Sequence, residues 1–118
     1  MNIFVVDKNP VIAAQSLCNR HVIKMILESA LMLCNAFDDA PYKRTHYNHP
    51  CSVWVRQSKP NFQWLYSHAL ALCDEYTFRY DKTHKSKEVI LWCGNQNANL
   101  NDAGLTRHPQ CMPDEYKN

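Results

Sequence analysis

Residues 22–34 read VIKMILESALMLC, an apolar run in which Lys24 and Glu28 are the only ionisable side chains before Cys34. A helix apolar on nearly every other side is normally buried on those sides. Lys24 and Glu28 are spaced i, i+4, so a helix places them on one stripe a turn apart, and Arg20 and His21 extend that stripe toward the N-terminus. Charges on a mostly buried helix must be paired or must face a wet cleft. Two readings stay open at this point. One is an ordinary i, i+4 ion pair. The other is an amine and a carboxylate held for chemistry, with Lys24 as nucleophile or base and Glu28 as acid or base.

The rest of the chain bounds what that helix can belong to. A length of 118 residues reads as one domain, 1–118. A net charge of +2 and a pI of about 8.2 are only mildly basic and do not by themselves imply nucleic acid. Hydrophobic content of 46% supports a packed core and argues against disorder. Glycine is scarce, with two residues, and alternating β patterns are few. The expected fold is therefore all-α, a compact bundle of about four to five helices with a short extended N-terminal segment and an irregular C-terminal arm. No stretch approaches the roughly 20 apolar residues of a membrane span. Asp7 and Lys8 follow directly on the short apolar start, which is no secretory pattern. The expectation is a soluble, cytoplasmic protein with no membrane partner. Six cysteines at wide spacings, with no CxxC pair, do not read as a disulfide framework. Cys34, Cys73 and Cys93 read as small buried hydrophobes.

Local signals place the elements. Residues 3–6 (IFVV) form a short extended segment. Asn9 is a good N-cap and Pro10 a good first helical residue, and the pattern that follows reaches about Phe37 as one helix, or as two over about 10–18 and 20–37. Residues 38–49 form a polar loop. Pro50 opens a helix capped by Asn48 or His49, which must end before Pro60. The next helix takes Ser58 as cap and runs to about Tyr80, with Phe62, Leu65, Ala69, Leu72, Cys73 and Tyr76 at helical spacing. A basic turn over 81–85 leads to a short helix near 86–93, closed by Gly94 at the C′ position. Residues 95–104 read as a loop and about 105–118 as an extended arm.

Charge is segregated along the chain. Residues 40–73 contain no Asp or Glu but carry Lys43, Arg44, Arg56 and Lys59 with His46, His49 and His68. Tyr42, Tyr47, Trp54, Phe62, Trp64 and Tyr66 are interleaved with them. A basic surface with accessible aromatics suits phosphate contact and base stacking. Inside the helices Trp54, Phe62 and Trp64 read as core; in the loop Lys43, Arg44, His46 and Tyr47 read as binding residues. His46, His49 and Cys51 have the spacing H-x-x-H-x-C, which is not a common structural-zinc pattern; a histidine capping the Pro50 helix or lining a cleft fits better. Arg79, Lys82, His84 and Lys85 make a second basic cluster, at a helix end where cations are ordinary dipole complements. There is no GxGxxG, P-loop, HExxH or GxSxG motif and no acidic metal loop, so nucleotide-fold enzymes and common hydrolases are poor candidates. No cofactor and no metal are expected.

Five blocks in order, DKNPVIAAQ, CNRHVIKMILESA, THYNHPCSVWVR, LCDEYTFRYDKTHKS and MPDEYK, resemble a family of bacteriophage and marine metagenomic sequences without an established activity. That family is distantly similar to the pyrimidine-dimer DNA glycosylase, or endonuclease V-like, group. The shared outline is a basic helix with Lys and Glu, a His-Pro pair before a Trp-containing helix, and a later Arg-bearing helix. Arg20, Lys24 and Glu28 match the first, His49 and Pro50 the second, and Arg79 the third. The resemblance implies a mostly helical protein that cuts the glycosidic bond at damaged pyrimidines with an amine and a glutamate. The group's amine is the N-terminal one, freed by removal of the initiator Met. Here Asn2 follows Met1, a poor context for that removal, so Lys24 is expected to be the nucleophile with Glu28 as its proton partner. Arg20, His21, Lys43, Arg44, His46, His49, Arg56, Arg79 and Lys85 are the expected DNA contacts. Members of the phage family continue past MPDEYK, so the chain reads as a short or truncated member. Two other readings fit the sequence: a non-catalytic nucleic-acid-binding protein, and a small helical accessory protein that binds a host protein. The oligomeric state is not legible.

Overall fold

The computed structural model describes residues 9–15, 19–96 and 100. These contain five α-helices and no strand, the all-α fold expected. The expected N-terminal segment at 3–6 and the C-terminal arm lie outside the described residues.

Helices α1, α3 and α4 each start where a side chain satisfies orphan N–H groups. Asn9 Oδ1 accepts from the N–H of Val11 (2.9 Å) and of Ile12 (3.3 Å), and Pro10 begins α1, Pro10–Gln15. Helix α2 is Asn19–Cys34, so the periodic stretch over 10–37 is carried by two helices. It stops at Cys34 rather than Phe37, because the last amides tighten to Ala36 N–H···Leu33 O and Phe37 N–H···Cys34 O bonds. Helix α3, Pro50–Arg56, is capped by His49, whose Nδ1 accepts from Cys51 N–H at 3.2 Å. Helix α4, Lys59–Tyr80, is capped by Ser58, whose Oγ accepts from Asn61 N–H at 3.2 Å, and ends at Asp81 in the left-handed region, φ 55°. Helix α5 is Lys87–Gly94, and just before it His84 Nδ1 accepts from Ser86 N–H at 3.1 Å.

Helix α4 is the common partner: α1, α2, α3 and α5 all pack on it, and α2 also touches α3 and α5. Phe62, Trp64, Leu65, Ala69, Leu72 and Cys73 of α4 meet Val22, Met25, Ile26, Ala30 and Leu33 of α2 in one core. Trp54 and Trp64 are T-shaped at 6.2 Å, and Phe37 packs edge-on against Phe62 and Trp92. His68 is buried in α4, stacks on Trp64 at 4.9 Å, and donates from Nδ1 to Pro10 O at 2.9 Å, tying α1 to α4. Cys34, Cys51, Cys73 and Cys93 are buried free thiols. Cys34 and Cys93 meet at 3.6 Å, and that hydrogen bond lowers the Cys34 thiol to about 7, while Cys93 is raised by the same contact and by burial. None of the described helices is long and apolar enough to cross a membrane.

Two local expectations are corrected. The run at 22–34 is not covered on all apolar sides: Ile23 and Leu27, beside Lys24, are 41% and 44% exposed. A 3.6-residue period spreads a continuous apolar run around the whole helix, whereas neighbours cover one side. Gly94 is not a left-handed C′ residue. It is the last residue of α5, the cap Asn95 is right-handed, and no described glycine has positive φ. Glycine is required there for another reason: a β-carbon would overlap the Tyr66 ring. Gly94→Ala should therefore destabilise the fold by about 1–3 kcal/mol in chemical denaturation, and by less in a Tyr66→Leu background.

The histidines make stability pH-dependent. Burial is the largest cause lowering His49, His68 and His84 below the ordinary value of 6.5. His49 also needs an unprotonated Nδ1 to cap α3, and His84 one to accept from the N–H of Ser86, the residue before α5. The unfolded chain takes up these protons first as pH falls, so their stabilisation is complete above about pH 6.5 and is lost as pH drops through the lower folded values. Melting temperature measured from pH 8 to pH 4.5 should decline below about 6.5, and a His84→Asn cap should flatten part of that decline.

Candidate nucleic-acid interface

Along α2, His21 and Glu28 are spaced i, i+7, on nearly one line, and Asn35 follows seven residues later, just past the helix end, with its N–H still bonded to Leu31 O. His21 and Glu28 are partly buried, while Arg20 and Lys24 are exposed. The ion pair that the sequence allowed between Lys24 and Glu28 is not formed within 4.0 Å among the described residues. The Glu28 charge is felt at His49. Burial lowers His49, the charge of His46 adds to that effect, and the Glu28 carboxylate opposes it. Because His49 Nδ1 is occupied as an acceptor by the helix cap, its Nε2 is the nitrogen left for other contacts.

The loop leading to His49 is held by side chains. Asn35 is buried, and its amide grips Thr45 from both sides: Nδ2 donates to Thr45 O (2.8 Å) and Oδ1 accepts from Thr45 N–H (3.2 Å). The second Nδ2 hydrogen goes to Ser52 Oγ (2.9 Å), which also accepts from Arg56 Nη1 (2.9 Å). Arg56 Nη2 then donates to Tyr47 O at 2.7 Å. His46 has a left-handed backbone, φ 49°, and its carbonyl accepts from His49 N–H at 3.0 Å, closing a tight turn before α3.

This turn gathers the cations. The Arg56 guanidinium lies 3.6 Å from the Tyr47 ring centre and that of Arg44 lies at 4.8 Å. Burial lowers Arg56, the Tyr47 hydroxyl opposes this, and Arg44 lowers it further, so two like charges face each other across one aromatic ring. Such a pair, only partly countered by the exposed Asp38 that bonds Arg44, favours an arriving anion. Lys43 is exposed in the same loop.

Arg79 and Lys85 sit elsewhere. Arg79 donates to Glu75 Oε2 (2.8 Å), Asn19 Oδ1 (2.9 Å) and Gln15 O (3.2 Å), clamping the end of α1 and the start of α2 to α4. Asn19 is roughly 13 Å along the α2 axis from Glu28, nine residues at 1.5 Å each. Lys85 follows His84, whose ring bonds the backbone of Ile23, about 7 Å along the same axis from Glu28. The two basic clusters thus flank α2 at different levels. Cys51 is buried in the core and His49 Nδ1 is committed to the cap, so H-x-x-H-x-C does not converge; no group of three or more metal-ligating side chains forms among the described residues.

Asn35 and Ser52 escaped the sequence reading. The spacing of Asn35, seven residues after Glu28, and of Ser52, four before Arg56, carried the signal.

On an all-α frame, two arginines gathered on one tyrosine, beside a turn that ends in a helix-capping histidine, make a cationic face suited to a polyanion. Residues 1–88 match the family model described as pyrimidine dimer DNA glycosylase. The chain belongs to that family. The match takes in α1 to α4 and the loop at 38–49, which hold Glu28, His49 and both arginines. No curated protein and no solved structure matches the chain.

Arg44→Ala and Arg56→Ala are each expected to weaken duplex-DNA binding at all sequences and to lower the slope of log affinity against log salt by about one. Unchanged slopes in a fluorescence titration would remove these residues from the interface.

Proposed function

We propose that the protein is a DNA N-glycosylase with an associated lyase activity, acting on damaged pyrimidines. The observation that supports this most is the family match over residues 1–88, a stretch that also carries Glu28, His49 and the Arg44–Tyr47–Arg56 cluster. In the proposed reaction an amine nitrogen bonds to sugar C1′ as the C1′–base bond breaks, and the base leaves with the bond's electron pair. The amine gives up a proton, the C1′–O4′ bond opens, and the sugar oxygen takes a proton from Glu28, leaving an imine. Loss of a C2′ proton to the carboxylate then expels the 3′ phosphate and cuts the strand.

Lys24 is the proposed nucleophile, an exposed amine one turn before Glu28. Its exposure means that burial does not activate it, so any activation comes from the substrate complex. The N-terminal amine that the family chemistry employs is the competing candidate. Arg20, His21, Lys43, Arg44, His46, His49 and Arg56 would hold phosphates around the lesion. Arg79, committed to three partners on α1, α2 and α4, supports this face from behind, and Lys85 would meet DNA further along α2.

Borohydride reduces an imine to a stable amine, so the test is trapping on dimer-containing and abasic duplexes. Wild type should give one covalent adduct, and Glu28→Gln should slow it by about 10²-fold or more. Peptide mapping assigns the amine: an adduct on Lys24 that disappears in Lys24→Ala supports the mechanism as written, and an undiminished adduct in Lys24→Ala moves the nucleophile to the N-terminus. No adduct with wild type would overturn the enzymatic reading. Salt-sensitive DNA binding without any adduct would instead favour a non-catalytic nucleic-acid-binding protein, which the cationic turn at 44–49 also supports.

A further inference from the structure

We propose that Asn35 is the positioning residue of the site, fixing the turn at 44–49 and the Arg56 guanidinium against α2. Neither the family match nor the residue pattern assigns it a role. In its DNA aspect this rests on the glycosylase reading.

The argument is one of saturation. Asn35 is 1% exposed, and both its amide hydrogens and its carbonyl oxygen are used. It bonds the C=O and the N–H of the same residue, Thr45, in the way a neighbouring strand would. Residue 45 lies in no helix, so these bonds take the place of secondary structure. Only one orientation of the amide places a donor at Thr45 O and an acceptor at Thr45 N–H, so the side chain also fixes the loop's register.

The bonds continue into a closed ring. Ser52, fully buried, receives Asn35 on one lone pair and Arg56 on another, and Arg56 returns to the loop at Tyr47 O. Residues 45 and 47 are thus held from opposite sides, one from α2 and one from α3. Between them His46 takes its left-handed conformation, and three residues later His49 caps α3 and feels the charge of Glu28. Asn35 is the first residue past α2, its N–H still bonded to Leu31 O at 3.2 Å, so the helix that carries Glu28 also supports the anchor of the histidine loop.

Substitution separates this role from simple packing. Asn35→Asp keeps the shape and the acceptor but removes both donors. Ser52→Ala leaves the Asn35–Thr45 bonds and cuts the link to Arg56. Imidazole ¹⁵N spectra read the consequence without any substrate. In wild type, His49 Nδ1 should resonate as an unprotonated nitrogen in a single tautomer. In Asn35→Asp, at unchanged helical content, the His49 signals should move toward a tautomer mixture, and borohydride trapping on abasic duplex should slow by roughly 10- to 100-fold. In Ser52→Ala the His49 spectrum should stay as in wild type, while the salt slope of DNA binding falls toward that of Arg56→Ala.

An Asn35→Asp protein with an unchanged His49 spectrum would overturn the proposal. If Asn35→Asp fails to fold, Ser52→Ala decides: an unchanged salt slope overturns the proposal, and a reduced slope with an intact His49 spectrum supports it. Wild type that forms no adduct defeats the glycosylase reading, and the His49 spectra of wild type and Asn35→Asp still decide whether Asn35 holds the loop.

Discussion

The structure depends on α4 being one uninterrupted helix of 22 residues. Four other helices rest on it, so its start and stop set the frame. The start is secured by Ser58 and Pro60, and further by Asn61, whose side chain donates to Trp54 O across the α3–α4 corner at 2.8 Å. The stop is Asp81 in the left-handed region, with its N–H bonded to Thr77 O at 2.8 Å. Between these points the helix buries residues on several faces, and even its histidine is internal, neutralised by burial and satisfied by the Pro10 carbonyl. The candidate site is displaced from this shared helix to α2 and to the connection between α2 and α3.

That displacement explains the site's construction. Helix α2 offers one face to α4 and keeps another for the loop at 38–49, which has no regular structure to stabilise it. The loop is stabilised by polar side chains instead: Asn35 and Ser52 from below, Arg56 and Tyr47 from above. The same groups that order the loop bring guanidinium groups together and aim His49 toward the level of Glu28. Fold and site are therefore coupled through hydrogen bonds rather than through apolar contacts, and such networks lose more than one bond's worth when one member is removed.

What was legible in the sequence was local. His49 before Pro50, Ser58 before Pro60, Asn9 before Pro10 and the end near Tyr80 are decided by a few neighbouring residues, and all four stand in the structure. Trp54, Phe62 and Trp64 were readable as core because helical spacing carries that information. The misreadings come from long-range packing. Gly94 has the position of a helix terminator, yet its lack of a side chain serves Tyr66, a residue far away in sequence. The exposure of Ile23, Lys24 and Leu27 depends on which side of α2 its neighbours leave uncovered, which an apolar run cannot encode. Arg79 looked like a surface cation, but Gln15 and Asn19 claim its guanidinium across a separation invisible along the chain. The bonds of Asn35 to Thr45 and Ser52 also depend on how α2 and α3 pack, which no local pattern carries.

His46 carries a consequence for how this face can be dissected. Its backbone sits at φ 49°, a conformation that glycine adopts freely, that asparagine, aspartate and histidine tolerate better than most, and that alanine disfavours by about 1 kcal/mol. Replacing it with alanine would mix two effects, the lost imidazole and a loop pushed toward another geometry, with Tyr47 and His49 dragged along. Asparagine or glycine at that position removes the ring while leaving the turn content. The handedness of one backbone angle thus decides which substitution gives an interpretable answer about the chemistry of its neighbours.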